Sequence, residues 1–141
     1  MTPQQITLVR TSHAALAPVA PQVAGVFFAK LFAVHPDLRR LAKGDIGMQG
    51  ERLTTMIGAA VYLLDRPGTL MPSLRTLGVR HAACGVRAEH HAVIGVVWLA
   101  TLEAELGSDF DAEQRAAWTA MAALVSRTML EGAEQAAAVP A

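Results

Sequence analysis

Residues 77–94 read LGVRHAACGVRAEHHAVI, and every functional interpretation of the chain starts from this stretch. The pattern predicts that one helix ends near His81, that the chain turns at Gly85, and that a second, strongly apolar helix follows. An imidazole at such a helix end can bind a metal in an all-helical pocket if the nitrogen facing the metal is unprotonated. The carbonyl of Leu77, one turn earlier, could accept the proton of the other ring nitrogen. A histidine that only packs or caps the helix is the alternative.

Helical periodicity dominates on both sides of this stretch. Strand alternation and hairpin turns are absent from the sequence, so we predict an all-α fold of about six or seven helices that cross steeply around a central space. Helix starts are predicted at Thr2-Pro3, Pro21 and Pro36, and Asp111 is predicted to cap the last helix together with Gln114. The three clearest apolar stripes are Leu53, Met56, Ile57, Ala60, Val61, Leu64; Ile94, Val97, Trp98, Thr101, Leu102, Leu106; and Ala117, Met121, Leu124, Val125, Thr128, Met129.

Composition narrows the function classes. The 141 residues suit one domain, predicted over residues 1–135 with a short Ala-rich tail at 136–141. Twelve Lys+Arg balance twelve Asp+Glu without a basic block, so we expect no nucleic-acid partner. The longest apolar run, residues 92–102, is shorter than the ~20 residues that a membrane-spanning helix needs. The single cysteine, Cys84, forms no internal disulfide, and we expect a cytoplasmic protein without a membrane partner.

Gln49, Glu89, His90 and His91 are weaker candidates for functional residues than His81. Gln49 lies one turn before Leu53 on the same stripe and could donate a hydrogen bond to a partly negative ligand, or it could reach water at the stripe's edge. His90 and His91 are adjacent and point in different directions on a helix, so they cannot chelate one metal together. Glu89 and His90 are predicted to be solvated residues of a first helical turn.

The chain resembles a bacterial single-domain globin, similar to the globin portion of flavohaemoglobins. That resemblance implies a three-over-three helical sandwich that holds haem b, iron protoporphyrin IX, with His81 as the proximal iron ligand. On the distal side it places Gln49, Leu53 and Phe28 near the bound gas. The residues that carry the resemblance are Gln49, Leu53, Leu77, His81, Gly85-Val86, Glu89-His90, Ile94-Gly95 and Ala116-Ala117-Trp118. The further haem contacts that it implies are Ala42, Leu77, Arg80 at a propionate, Val86, His91, Ile94 and Leu124.

The sequence departs from this family at three places. Members usually carry Tyr where Phe28 stands, and Phe28 cannot donate a hydrogen bond, so oxygen should leave faster. The Phe that wedges against the porphyrin falls on Ala42, unless Leu41 or Phe32 fills the space. The Tyr and Glu that support the proximal histidine in flavohaemoglobins fall on His91 and near residues 132–133, so that network is altered or lost.

The resemblance implies a haem protein that reversibly binds oxygen, nitric oxide or carbon monoxide. The chain is too short to include a flavin reductase domain, so it could dioxygenate nitric oxide only with electrons from a separate reductase. Whether it is an enzyme, and its oligomeric state, are left open. The alternative is a globin-fold sensor or interaction module with weak or no haem binding, for which Ala42 is the best argument.

Overall fold

The computed structural model describes residues 1–42 and 44–138, and this part of the chain is almost entirely helical and contains no strand. The tail predicted at 136–141 lies partly outside the described residues, and its first three residues continue the last helix. The seven α-helices are α1 (Pro3–Leu16), α2 (Ala20–Val34), α3 (Leu38–Leu41), α4 (Ile46–Tyr62), α5 (Pro67–Ala83), α6 (Ala88–Leu106) and α7 (Ala112–Ala138), with 3-10 turns at Ala17–Val19 and Gly107–Asp109.

Short polar side chains and prolines set most helix starts, as predicted. The Thr2 hydroxyl accepts from the amide of Gln5 at 3.1 Å, and the carboxylate of Asp111 accepts from the amide of Gln114 at 2.8 Å. Pro21 lies in the first turn of α2. The prediction for Pro36 was wrong by two residues, since α3 starts at Leu38 and Pro36 forms a turn before it.

The helices form two layers, which confirms the three-over-three sandwich. One layer contains α1, α4 and α5, and the other contains α2, α6 and α7. Helix α5 packs most extensively on α7, while α4 crosses α2 and α1 crosses α7. The layers are joined inside by an apolar core that includes Val9, Leu102 and Trp118, each at most 1% exposed.

The helical segment Pro3–Val34 includes a stretch of 18 residues with a mean hydropathy of 1.5. By length and composition alone, this segment could span a membrane. The 3-10 turn at Ala17–Val19 separates α1 from α2 within this segment. Buried residues of α2, among them Val23, Phe27 and Leu31, belong to the core of the sandwich. Only 22% of the apolar stretch is buried, so these core side chains explain part of its apolar character.

Candidate functional site

A cleft opens between the two layers, with α4 and α5 on one side and α6 and α7 on the other. Its cavity volume is about 180 Å³. The lining is apolar except for His81, His91, Ser126 and the two indoles. Its residues are Phe27, Leu53, Met56, Ile57, Ala60, Leu74, Leu77, His81, His91, Ile94, Gly95, Trp98, Trp118, Met121, Ala122, Val125, Ser126 and Met129.

His81 lies in the last turn of α5 and lines this cleft. Its Nδ1 is 2.9 Å from the carbonyl oxygen of Leu77, the partner that the sequence predicted. Because a carbonyl only accepts, Nδ1 carries a proton, and in the neutral ring Nε2 keeps its lone pair. The ring is thereby fixed in the tautomer that a metal ligand needs.

The described residues contain no group of three or more His, Cys, Asp or Glu side chains that could hold a metal ion by themselves. Any metal in the cleft would therefore have to bring most of its own ligands. An iron held by four porphyrin nitrogens needs only one protein ligand, and His81 offers one. The donor set of the cleft fits haem and does not fit a structural zinc site.

His91 is the second histidine of the cleft, and it is 9% exposed at the start of α6. Burial lowers its pKa, and the imidazoles of His81 and His90 lower that pKa further. His91 is therefore neutral at neutral pH. It occupies the position where the family resemblance expected a supporting Tyr, so a neutral imidazole stands there in place of a phenol.

Gln49 is not among the residues that line the cleft; it lies half-buried in the first turn of α4, one turn before Leu53, which does line it. Phe27, rather than its predicted neighbour Phe28, contributes to the lining. The ring of Phe28 packs edge-on against Phe27 at 5.2 Å and stacks on Phe32 at 5.5 Å. A distal role for Gln49 and Phe28 remains a prediction.

The side chain of Ala42 is small where the family places an aromatic wedge, and its neighbours are apolar and bulky. Leu41 and Phe32 pack in the same apolar cluster as Leu53 and Ile94, and the latter two line the cleft. Leu41 also reaches the turn after α5, where a Cβ on Gly85 would lie 3.1 Å from its Cδ2. Neither Leu41 nor Phe32 is among the residues that line the cleft, so their filling of the space beside Ala42 stays a prediction.

The other predicted haem contacts lie around the cleft rather than in its lining. Arg80 is exposed on α5, next to His81 in the sequence, and its contact with a propionate stays a prediction. Val86 and Leu124 are half-buried, and the lining from α7 comes instead from Met121, Val125 and Met129. Met56, Ile57 and Trp98 were not predicted as site residues, although each belongs to an apolar stripe that was recognised in the sequence.

The prediction that His90 is solvated was wrong, because His90 is only 2% exposed. Its Nδ1 accepts a hydrogen bond from the backbone amide of Arg87 at 2.9 Å. The His35 ring from the end of α2 covers it, with the ring centroids 5.0 Å apart. Glu89 is exposed as predicted and lies 3.2 Å from the guanidinium of Arg87.

Comparison with known proteins places these features in a family. A family model described as Globin matches residues 25–129. The flavohemoprotein of Bordetella parapertussis is 28% identical over 123 residues, which cover 85% of this chain and 31% of the relative. Neuroglobin-1 of Oncorhynchus mykiss is 28% identical over 146 residues, which cover 94% of this chain and 92% of the relative. The chain thus spans about a third of the flavohemoproteins that it matches and nearly the whole of the neuroglobin.

The fold is also similar to that of a solved structure, an engineered carbene transferase made from a putative nitric oxide dioxygenase of Rhodothermus marinus. The TM-score is 0.86 with 22% sequence identity, and the match covers 98% of this chain and 96% of that chain. At this identity the likeness supports the fold alone. Together with the family model over residues 25–129, it leads to one conclusion: the chain belongs to the globin family, which implies a haem cofactor.

Proposed function

We propose that the cleft binds haem b through His81 and that the chain reversibly binds oxygen, nitric oxide and carbon monoxide. One observation carries this proposal: His81 lines an apolar cleft while its Nδ1 is engaged by the Leu77 carbonyl at 2.9 Å. This bond leaves Nε2 as the nitrogen available to iron, in a fixed ring orientation. When bound, haem supplies an iron with a coordination position open to small gases.

The remaining lining residues exclude water and hold a flat apolar group. Leu53, Ile57 and Ile94 face the cleft from two different helices, and Met121 and Val125 face it from α7. An apolar wall strengthens any polar contact made inside it, because bulk water cannot compete. On the distal side the amide of Gln49 is the proposed donor to oxygen. Phe28 offers no hydroxyl, so oxygen should dissociate faster than from a relative with Tyr there.

Dioxygenation of nitric oxide is a conditional part of this proposal. It requires electrons, which we assign to a separate reductase in the cytoplasm. The Tyr and Glu that support the proximal ligand in flavohaemoglobins are altered or lost here, with Glu131 and Glu134 flanking the Glu position. His91 takes the first position, and the second falls near Gly132. Gas binding is therefore the primary proposed activity.

A titration of the haem-free protein with hemin, followed by optical absorption, tests this proposal. We expect a sharp Soret band that saturates at one haem per chain, and a shift of that band when the reduced protein is exposed to carbon monoxide. Free hemin in the same buffer is the control. A band that never differs from the control would reject haem binding and favour the alternative of a haem-free sensor or interaction module.

A further inference from the structure

Two glycines lie where α5 crosses α7. A Cβ added to Gly78 of α5 would overlap the carbonyl oxygen of Met129 and would lie 2.7 Å from its Cα. A Cβ added to Gly132 of α7 would overlap the carbonyl oxygen of Arg75 and would lie 2.6 Å from its Cα. Real Cβ atoms essentially never come within 3.0 Å of such atoms. Each helix therefore presents a glycine to the backbone of the other, which is the closest approach that two helices can make.

This crossing lies directly beside the proposed iron ligand. Gly78 is one helical turn before His81, and residues one turn apart share a face of a helix. On either side of Gly78, Leu74, Leu77 and His81 line the cleft. The side chain of Met129 lines the same cleft, while its backbone contacts Gly78. The backbone contact between α5 and α7 thus lies one helical turn from His81, on residues that border the cleft.

The polar side-chain contacts between these two helices are weak in comparison. Arg75 and Glu131 form an ion pair at 4.0 Å, and both side chains are more than two-fifths exposed. Exposed pairs of this kind contribute roughly 0–1 kcal/mol. The hydroxyl of Thr128 lies 3.5 Å from the sulfur of Met71, a long contact for a weak acceptor. Neither contact is rigid enough to fix the position of α5.

We propose that Gly78 and Gly132 are positioning residues, which set the distance and orientation of His81 toward haem through direct backbone contact between α5 and α7. This inference rests on the proposed function, because it assigns a role to His81 as iron ligand. A side chain at residue 132 would collide with the backbone of Arg75.

The test compares Gly78→Ala and Gly132→Ala with Gly68→Ala. Gly68 lies on the same helix α5, and a Cβ there would meet nothing within 4 Å, so Gly68→Ala is the matched control. The readouts are the Fe–His stretching band of the reduced protein in resonance Raman spectra, the rate of haem loss to an acceptor protein, and the 15N signal of the His81 Nδ1–H in the haem-free protein. Circular dichroism establishes that each variant is folded.

Both glycine variants should shift the Fe–His band, accelerate haem loss by about 10–100-fold and move the His81 15N signal, while Gly68→Ala changes none of the three. A folded Gly78→Ala protein with a wild-type band and a wild-type rate would overturn the inference. A purely structural role would lower the free energy of unfolding and leave the band in place, and that result also overturns it.

Two further measurements cover the remaining outcomes. If the wild-type protein takes up no haem, the proposed function fails, and the 15N signal in the haem-free variants alone decides the positioning role. If neither variant folds, native-state hydrogen exchange of the wild-type protein decides it. Amides 77–81 and 128–132 should then exchange through one shared opening, with equal free energies. A much lower protection of 77–81 would overturn the inference.

Discussion

His81 illustrates how a single backbone hydrogen bond defines a chemical role. A free imidazole exchanges its proton between two nitrogens, but the Leu77 carbonyl at 2.9 Å admits only the Nδ1–H form. The nitrogen available to iron is thereby defined before any iron binds. The sequence predicted this bond, because Leu77 and His81 are four residues apart on one helix and the contact is local.

His90 is the opposite case. Its neighbours in sequence indicate a solvated first helical turn, and Glu89 follows that expectation. The burial of His90 comes from His35, which is far away in the chain and reaches it only when α2 and α6 pack together. No local pattern encodes that contact, so the sequence alone could not predict it.

Gln49 provides a prediction at the residue scale. Replacing Gln49 with Leu should accelerate oxygen dissociation roughly tenfold, since a hydrogen bond to a partly charged acceptor contributes about 1–3 kcal/mol. Carbon monoxide dissociation should change much less, because bound carbon monoxide carries less negative charge. Stopped-flow measurements of both rates test this.

The matched control for that variant is Gln22→Leu. Gln22 is a glutamine on the protein surface, where its side-chain amide Nε2 donates a hydrogen bond to a carboxylate oxygen of Glu105 at 3.1 Å. Neither gas rate should change in this variant. Equal acceleration of oxygen and carbon monoxide in Gln49→Leu would show that Gln49 opens or closes the cleft instead of donating a hydrogen bond.

At the scale of helices, local signals predicted the elements well and their ends less well. Thr2 and Asp111 cap α1 and α7 because a short polar side chain can bond the first free amides of a helix. Pro36 was expected to open a helix, but Pro36 and Asp37 form a turn before α3 begins at Leu38. A proline fixes only its own backbone angle, so it marks the region of a helix start without marking the residue.

A buried polar network joins α1 to α7 and gives a prediction about stability. The Trp118 indole donates to the hydroxyl of Ser12 at 2.7 Å, and that hydroxyl lies 2.9 Å from Oε1 of Gln114. Ser12→Ala would leave the indole N–H buried without this acceptor. We expect the free energy of unfolding to fall by about 1–3 kcal/mol in urea denaturation.

Thr11→Ala is the matched control on the same helix. The hydroxyl of Thr11 is exposed and bonds only the carbonyl of Thr7, at 2.9 Å. This variant should stay within about 0.5 kcal/mol of the wild-type protein. If the two variants were equally stable, the buried network would contribute nothing to the packing of α1 on α7.

At the scale of the whole molecule, the cleft is a product of the three-over-three arrangement. The sequence showed apolar stripes on α4, α6 and α7. In the structure, residues from all three stripes line the cleft. The sequence could not decide which residues of a stripe face the cleft and which face the core. Leu124 was expected at the haem, but Met121 and Val125 line the cleft, because the crossing angle of α7 selects among neighbours on one stripe.

The same limit applies to the two glycines of the α5–α7 crossing. Gly78 lies within residues 77–94, the stretch that includes His81, yet no neighbouring residue distinguishes it from an ordinary helical glycine. Its role depends on Met129, which is distant in sequence. The contacts that surround Gly78 therefore depend on the packing of α5 on α7, and the residues next to His81 in the sequence do not determine them.

The central claim is that His81 holds the haem, and the optical spectrum of His81→Gly tests it most directly. Ala82→Gly places the same flexible residue on the exposed neighbour in that helix and serves as the control. We expect His81→Gly to lose haem or to hold it only when imidazole is added, while Ala82→Gly keeps the wild-type spectrum. A His81→Gly spectrum identical to that of the wild-type protein, without imidazole, would contradict the claim and assign the iron to another residue, with His91 the nearest candidate.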